Sequence, residues 1–347
     1  MKAAVIEAFG APLRIVDMPV PTCPEDGVLV EVGACGVCRS DWHAWKGADP
    51  DVQVPHVPGH ELAGTVREVG RAVRKHKVGD RVTAPFILAC GACSDCLGGD
   101  PTVCATQHVI GFSANGAFAE VAAIPHADFN LVRLPDSLGF VDAAGMGCRV
   151  TTAFRALVDR ARLQPGEWVA VHGCGGVGLS AIKIAAAVGA PVVAVDISEA
   201  ALVAARAAGA TATVNAAKVA KVGEAVREIT GGGAHVSVEG IGTTSAFHNS
   251  LASLRKLGRH VQIGMPTGRH AEPTIALLDL VYSRQLSIFG TRGMAASRFP
   301  SLLRMIESGR LSLDGLVTRR IALAEAGAAL AAMDGEAPAG VTVIDRF

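Results

Sequence analysis

Apolar positions along the chain change rhythm near residue 166. Before it, short β-like runs at 27–32, 62–69 and 80–84 stand between glycines and prolines, which predicts an all-β unit with loop insertions. After it, strand-like runs at 167–172, 191–195, 235–239, 260–264 and 285–289 alternate with helix-like runs at 177–188, 199–208 and 244–257. That alternation predicts a parallel, doubly wound α/β sheet. Beyond residue 291 the pattern weakens to one helix at 297–308 and one strand at 340–344. A chain of 347 residues exceeds what one hydrophobic core usually organises, so two domains are expected.

Charge changes the picture mainly by exclusion. Lys plus Arg and Asp plus Glu are equal at 32 each, which gives no support for a nucleic-acid partner or an anionic membrane surface. The opening MKAAVIEAFG has no signal-peptide pattern. The most apolar stretch, 180–195, is broken by Lys183, Gly189 and Pro191 and is too interrupted to span a bilayer. A cytoplasmic location is therefore expected. In that compartment the nine cysteines stay reduced, so clusters of them point to metal or catalysis before disulfides.

Four cysteines, Cys90, Cys93, Cys96 and Cys104, fall within 15 residues. Thiolates two residues apart can turn back onto one ion, and intervening glycines let the backbone follow. Four of them would form a closed tetrahedral structural zinc site, which pins a loop and has no open position for chemistry. A second set is dispersed: Cys38, then His60 and Glu61, then Cys148. Two thiolates and an imidazole leave a fourth position free, as a catalytic zinc requires. Cys35 competes with Cys38 for the first place on spacing alone.

The strand-like run at 167–172 leads into Gly173-Cys174-Gly175-Gly176-Val177-Gly178, a G-x-G-x-x-G turn followed by a helical pattern. Gly173 would allow the tight turn, Gly175 the approach of a pyrophosphate and Gly178 close helix–strand packing. The helix N-terminus would offer amides to the phosphates. Asp196 ends the next strand, 18 residues after Gly178. A carboxylate there accepts both ribose hydroxyls and repels a 2′-phosphate, favouring NAD over NADP.

Residues 36–43, Gly59-His60-Glu61, the cysteine cluster, Cys148 and the glycine turn together resemble the zinc-containing medium-chain alcohol dehydrogenase family, in the family's order and over nearly the whole chain. The stretch Asp41-Trp42-His43-Ala44-Trp45-Lys46-Gly47 looks like its yeast-type and bacterial tetrameric branches. The resemblance implies a GroES-like, mostly-β catalytic domain over 1–150, completed by 291–347, and a Rossmann-type NAD-binding domain over 151–290. It favours Cys38 over Cys35 and implies a catalytic zinc on Cys38, His60 and Cys148, with Glu61 entering during ligand exchange and Asp41 behind His60. Ser40 would hydrogen-bond the alcohol and His43 would end the proton relay. Arg39 would face the pyrophosphate. Thr152, Gly240, Ile263, Gly264, Met265 and Phe289 would line the nicotinamide half.

The implied activity is reversible hydride transfer between an alcohol and NAD, with two zinc ions per chain, small-molecule substrates, and a homotetramer before a dimer. Trp42, Trp45 and Phe86 are candidate walls of the alcohol pocket. Two positions depart from the family: Ala201 where relatives carry a basic residue, and Val341 where many carry a pyrophosphate-binding Arg. The alternatives are a specialised polyol or amino-alcohol dehydrogenase and, in a different class, a non-catalytic NAD-binding protein stabilised by zinc.

Overall fold

The computed structural model describes residues 1–335 and 340–347, and it divides into two compact units. The first comprises Met1–Thr151, Gly293–Glu307 and Leu313–Phe347; the second comprises Thr152–Arg292 and Ser308–Ser312.

The first unit is built on a seven-stranded mixed sheet. Its longest strand, Val28–Val37, pairs antiparallel with Glu61–Val69, Val121–Ile124 and Val341–Arg346. The last of these runs parallel to Val317–Ala322, so the C-terminal segment completes a sheet begun by the N-terminal one. Val341 is fully buried here, so the aliphatic residue at this position is a core residue. Arg346 turns its guanidinium to Glu325 and Asp345. The core collects Val30, Leu62, Ile124 and Ile344 from the strands, together with Trp45 and the loop residue Phe118. Burial of each large apolar side chain contributes about 1.5–3 kcal/mol.

The second unit holds a six-stranded, wholly parallel sheet in the order Ala212–Asn215, Val192–Asp196, Val169–His172, Ala234–Glu239, Leu254–Gln262, Ser287–Gly290. The central strands are buried along nearly their whole length, as expected where helices cover both faces. Strand order reverses between Val169–His172 and Ala234–Glu239, and ligands of such sheets bind at the carboxyl ends beside that switch.

The structure corrects the helix expected at 244–257. The helix spans Thr244–Ser253, and the chain enters the strand Leu254–Gln262 at once. The apolar periodicity continues through Leu254 and Leu257, but Leu257 is 68% exposed and left-handed at φ +61°, an irregularity within the strand and not a buried helix position. A further strand, Ala212–Asn215, and the helix Val222–Ile229 lie in the stretch that periodicity left unassigned. Among the described residues, no helix is long and apolar enough to cross a membrane.

Candidate metal centres and nucleotide site

The short helix Arg39–Trp45 starts at Cys38, whose extended backbone serves as N-cap. Asp41 closes the cap by accepting the Cys38 amide at 2.8 Å. The same carboxylate accepts the Gly59 amide at 3.1 Å and the Nδ1–H of His60 at 2.8 Å. One buried aspartate thus ties the helix to the segment that carries His60 and fixes that ring's tautomer. Burial pulls the His60 pKa down, but Asp41 outweighs it and the net shift is well upward.

With Nδ1 committed, His60 Nε2 is buried and has no protein partner. Such an orphan is costly unless something else satisfies it. Ligand atoms of Cys38, His60, Glu61 and Cys148 all lie within 4.8 Å of one another. An imidazole nitrogen and two thiols gathered this closely are donors of the kind zinc takes once they give up their protons to the metal. The Cys38 thiol is held well below its ordinary pKa, first by its hydrogen bond with Cys148, with Arg149 and His60 adding to the effect against burial. Ser40 Oγ lies 3.8 Å from Cys38 Sγ.

Glu61 is also buried. It is paired in the sheet opposite Gly36, where any Cβ would overlap its carboxylate. It accepts the Cys148 amide at 2.9 Å and the Arg149 guanidinium at 2.9 Å, and Arg149 also donates to the Val37 carbonyl. Burial raises its pKa to about 7 against the pull of Arg149. The carboxylate is therefore within reach of the cluster while engaged by a cation. The sequence gives no signal for Arg149's part beyond its place after Cys148.

His43 is half-buried, and its pKa is lowered by burial and then by Arg39. Arg39 stacks 3.9 Å over Trp42 and donates to the Met333 carbonyl. Trp45 is built into the core of the first unit, and Trp42, only half-buried, packs against that core and donates to Asp334. The rings beside His60 are Phe86, at 5.5 Å edge-on, and Phe112, at 5.2 Å. They belong to an apolar cluster with Ala44, Val52, Ile87 and Val109, and Cys148 packs against it. Phe86 and Phe112 therefore both stand next to His60.

The four-cysteine loop brings its thiols together. Neighbouring sulfurs stand 3.5–4.0 Å apart, against about 3.8 Å for the edge of a tetrahedron with zinc–sulfur bonds near 2.3 Å. The Ala92 and Cys93 amides donate to Cys90 Sγ at 3.4 Å and hold its pKa down to about 5, Ala92 contributing most. All four residues can hold one ion. Cys35 is buried in the core of the first unit, outside both groups.

In the second unit, the helix Gly176–Val188 begins directly after the glycine turn. A Cβ on Gly178 would overlap the Gly173 carbonyl, so this glycine serves packing between turn and helix. A Cβ on Gly175 would meet nothing, so its space is open for a ligand to approach the backbone. Asp196 accepts the Cys174 amide at 2.7 Å and the Ser198 amide at 2.9 Å, leaving lone pairs for hydroxyl donors. Val177 lies in that helix's first turn, and the Gly240 amide donates to the His172 carbonyl. Ile263 and Gly264 donate their amides to the Glu239 carbonyl, and Met265 follows them in the same loop. Phe289 lies on the edge strand under Arg160. The Thr152 hydroxyl is buried without a partner.

A GroES-like β unit with an aspartate-anchored Cys/His/Cys cluster and a second unit with a doubly wound sheet and a glycine-rich turn define a two-domain dehydrogenase. Residues 24–136 match the family model of the alcohol dehydrogenase GroES-like domain, and residues 176–308 match that of zinc-binding dehydrogenases. An alcohol dehydrogenase of Geobacillus stearothermophilus is 40% identical over 298 residues, covering 84% of this chain and 86% of that one. An NAD-dependent alcohol dehydrogenase of Sulfurisphaera tokodaii is 32% identical and covers 95% of both chains. The solved alcohol dehydrogenase of Thermus sp. ATN1 superposes with a TM-score of 0.91 at 29% identity over the full length of both chains. The chain belongs to the zinc-binding alcohol dehydrogenase family, with the fold of the medium-chain dehydrogenases.

Proposed function

We propose that this protein is a zinc-dependent alcohol dehydrogenase that moves a hydride reversibly between an alcohol and NAD, giving an aldehyde or ketone, NADH and one proton. The single observation that carries the reading is the buried, unpartnered Nε2 of His60, facing the thiols of Cys38 and Cys148 while Asp41 holds the opposite nitrogen. Zinc, when bound by Cys38, His60 and Cys148, supplies Lewis acidity to the alcohol oxygen, and NAD supplies the hydride acceptor. Ser40, beside Cys38, accepts the alcohol proton and passes it toward His43 on the same helix. The lowered pKa of His43 keeps that base neutral near neutral pH. Glu61, now held by Arg149 and the Cys148 amide, would be the carboxylate available to the metal during ligand exchange. Cys90, Cys93, Cys96 and Cys104 hold the second zinc.

The glycine turn would hold the NAD pyrophosphate and Asp196 its ribose. Arg39, now on the Met333 carbonyl, would turn to the pyrophosphate, and Thr152, Gly240, Ile263–Met265 and Phe289 would receive the nicotinamide half. The Phe86 and Phe112 rings beside His60 support an alcohol with an apolar body over a polyol. The edge strand Ser287–Gly290 and exposed Leu277, Leu278 and Tyr282 support self-association, which we read as a homotetramer, with a dimer as the smaller alternative.

The test is Cys38→Ser and His60→Ala, assayed for alcohol-dependent NADH formation, zinc per chain and NADH binding. The reading expects turnover to vanish and one zinc to be lost, with NADH binding retained. Surviving turnover in either variant refutes the assignment. A single tightly held zinc in the unaltered protein, with no alcohol-dependent NADH, supports the non-catalytic alternative.

A further inference from the structure

The sheet of the second unit buries polar side chains where helices cover it. His172, Glu239, Ser250, Ser253 and His260 are all inaccessible to solvent or nearly so. Each such group needs a partner, and these find one another in a continuous string. His172 Nε2 lies 3.2 Å from the Ser253 hydroxyl, which donates to the Ser250 carbonyl at 2.7 Å. The Ser250 hydroxyl lies 3.0 Å from His260 Nδ1, and His260 Nε2 lies 3.2 Å from Gln262 Oε1. Gln262 Nε2 donates to the Glu239 carboxylate and, at 2.8 Å, to the Gly264 carbonyl.

Donor counting assigns the protons along this string. Both hydrogens of the Gln262 amide go to acceptors, so its oxygen accepts and His260 Nε2 carries the ring proton. His260 Nδ1 is then bare and accepts from Ser250, with the buried Ser237 hydroxyl a second neighbour at 3.3 Å. His172 Nε2 donates to Ser253, whose own proton is already given to the Ser250 carbonyl. The string ends on Glu239 as an acceptor.

Glu239 then gathers two loops. Its carboxylate accepts the Ile241 amide at 2.7 Å and the Gly242 amide at 2.9 Å, and its main-chain carbonyl accepts the amides of Ile263 and Gly264 at 2.9 and 2.8 Å. The loops interlock: a Cβ on Gly242 would overlap the Met265 carbonyl, and one on Gly264 would overlap the amides of Gly242 and Ile241. His172 and Glu239 are direct partners in neighbouring strands, at the carboxyl ends beside the topological switch. The string therefore begins and ends at the place where such sheets bind their ligands.

We propose that Glu239 and Gln262 are positioning residues for the cofactor, clamping loop 240–242 to loop 263–265 so that the nicotinamide half meets preformed backbone. The proposal rests on the NAD reading above. It adds that affinity for that half is set by a carboxylate lying beneath the loops. Glu239→Gln would turn an amide N–H toward the Ile241, Gly242 or Gln262 donors. Gln262→Leu would remove the donor and strand the His260 proton.

The experiment titrates the unaltered protein, Glu239→Gln and Gln262→Leu with NADH and, separately, with AMP, by fluorescence and calorimetry, with zinc per chain measured on each. NADH affinity is expected to fall about tenfold in each variant, the scale of one unmatched buried donor. AMP affinity and zinc content should stay unchanged, because the adenosine half is assigned to Asp196. Unchanged NADH affinity, or equal loss for NADH and AMP, overturns the clamp. Should Glu239→Gln fail to fold, Gln262→Leu, which keeps the carboxylate, decides alone. An unaltered protein that binds neither nucleotide overturns the NAD reading itself, and the clamp falls with it.

Discussion

The carboxylate of Asp41 holds His60 Nδ1 at 2.8 Å, and the same side chain caps the helix that begins at Cys38. Two of the proposed metal ligands are thereby positioned by one residue that touches no metal. Asp41→Asn keeps the shape but removes the charge and one acceptor oxygen; Asp41→Ala also frees the Cys38 and Gly59 amides. Outer partners of this kind are typically worth about 10–100-fold in metal affinity. Chelator competition should show one zinc per chain lost more readily in both variants, Ala more than Asn, with the other zinc unaffected. Equal retention of both ions in Asp41→Ala would contradict this coupling.

The four-cysteine loop makes the opposite prediction. Its sulfurs close on one another and leave no route to substrate. Cys104→Ala should lower the zinc content by one ion per chain and depress the thermal midpoint, while the turnover of molecules that remain folded changes little. A loss on the order of 3 kcal/mol corresponds to a fall of about 6–12 °C. Calorimetry with parallel metal analysis checks both. A variant with unchanged midpoint would deny the loop its structural role.

Much of this was legible along the chain because the relevant signals are local. The cysteine spacing, the strand–glycine turn–helix unit and the carboxylate at the end of the following strand each report their geometry through neighbours in sequence. The helix Val222–Ile229 goes unassigned in the sequence although Val222, Val226 and Ile229 recur at helical spacing between charged residues. What stayed hidden depends on pairing across strands. His172, His260 and Gln262 look like ordinary strand positions, and only the parallel register joins them to Glu239. Arg149 follows Cys148 in the chain, but its ion pair with Glu61 depends on a residue 88 positions away. The core place of Trp45 was not legible either, because the residue's direction depends on how the helix Arg39–Trp45 packs on the sheet.

Asp196 governs the choice of nucleotide through charge. Its two oxygens already accept the Cys174 and Ser198 amides, which steady the turn. Asp196→Gly removes the repulsion toward a 2′-phosphate and releases two amides that can donate to it. The ratio of kcat/KM for NADP to that for NAD should rise at least tenfold, about 1.4 kcal/mol of discrimination, mostly through a higher KM for NAD. An unchanged ratio would show that discrimination lies elsewhere in the nucleotide site.

The buried histidines of the second unit make stability depend on pH in a definite direction. Burial depresses His172 to about 3, with His260 adding to the effect, and burial depresses His260 to about 4 despite its bond to Gln262. Unfolded, both would titrate near about 6.5. Above that value neither state is protonated at these sites, and the stability they permit is fully present. As pH falls below it, the unfolded chain takes up protons that the folded chain refuses, so stability declines until the folded pKa values are reached. Each group contributes a slope of up to about 1.4 kcal/mol per pH unit between roughly pH 6 and pH 4. Urea denaturation of the unaltered protein at a series of pH values should show this decline, and His260→Leu should remove about half of the two-histidine slope whatever its effect on absolute stability. A slope unchanged by that substitution would mean that His260 is protonated in the fold, which would break the donor–acceptor order that runs through Gln262 to Glu239.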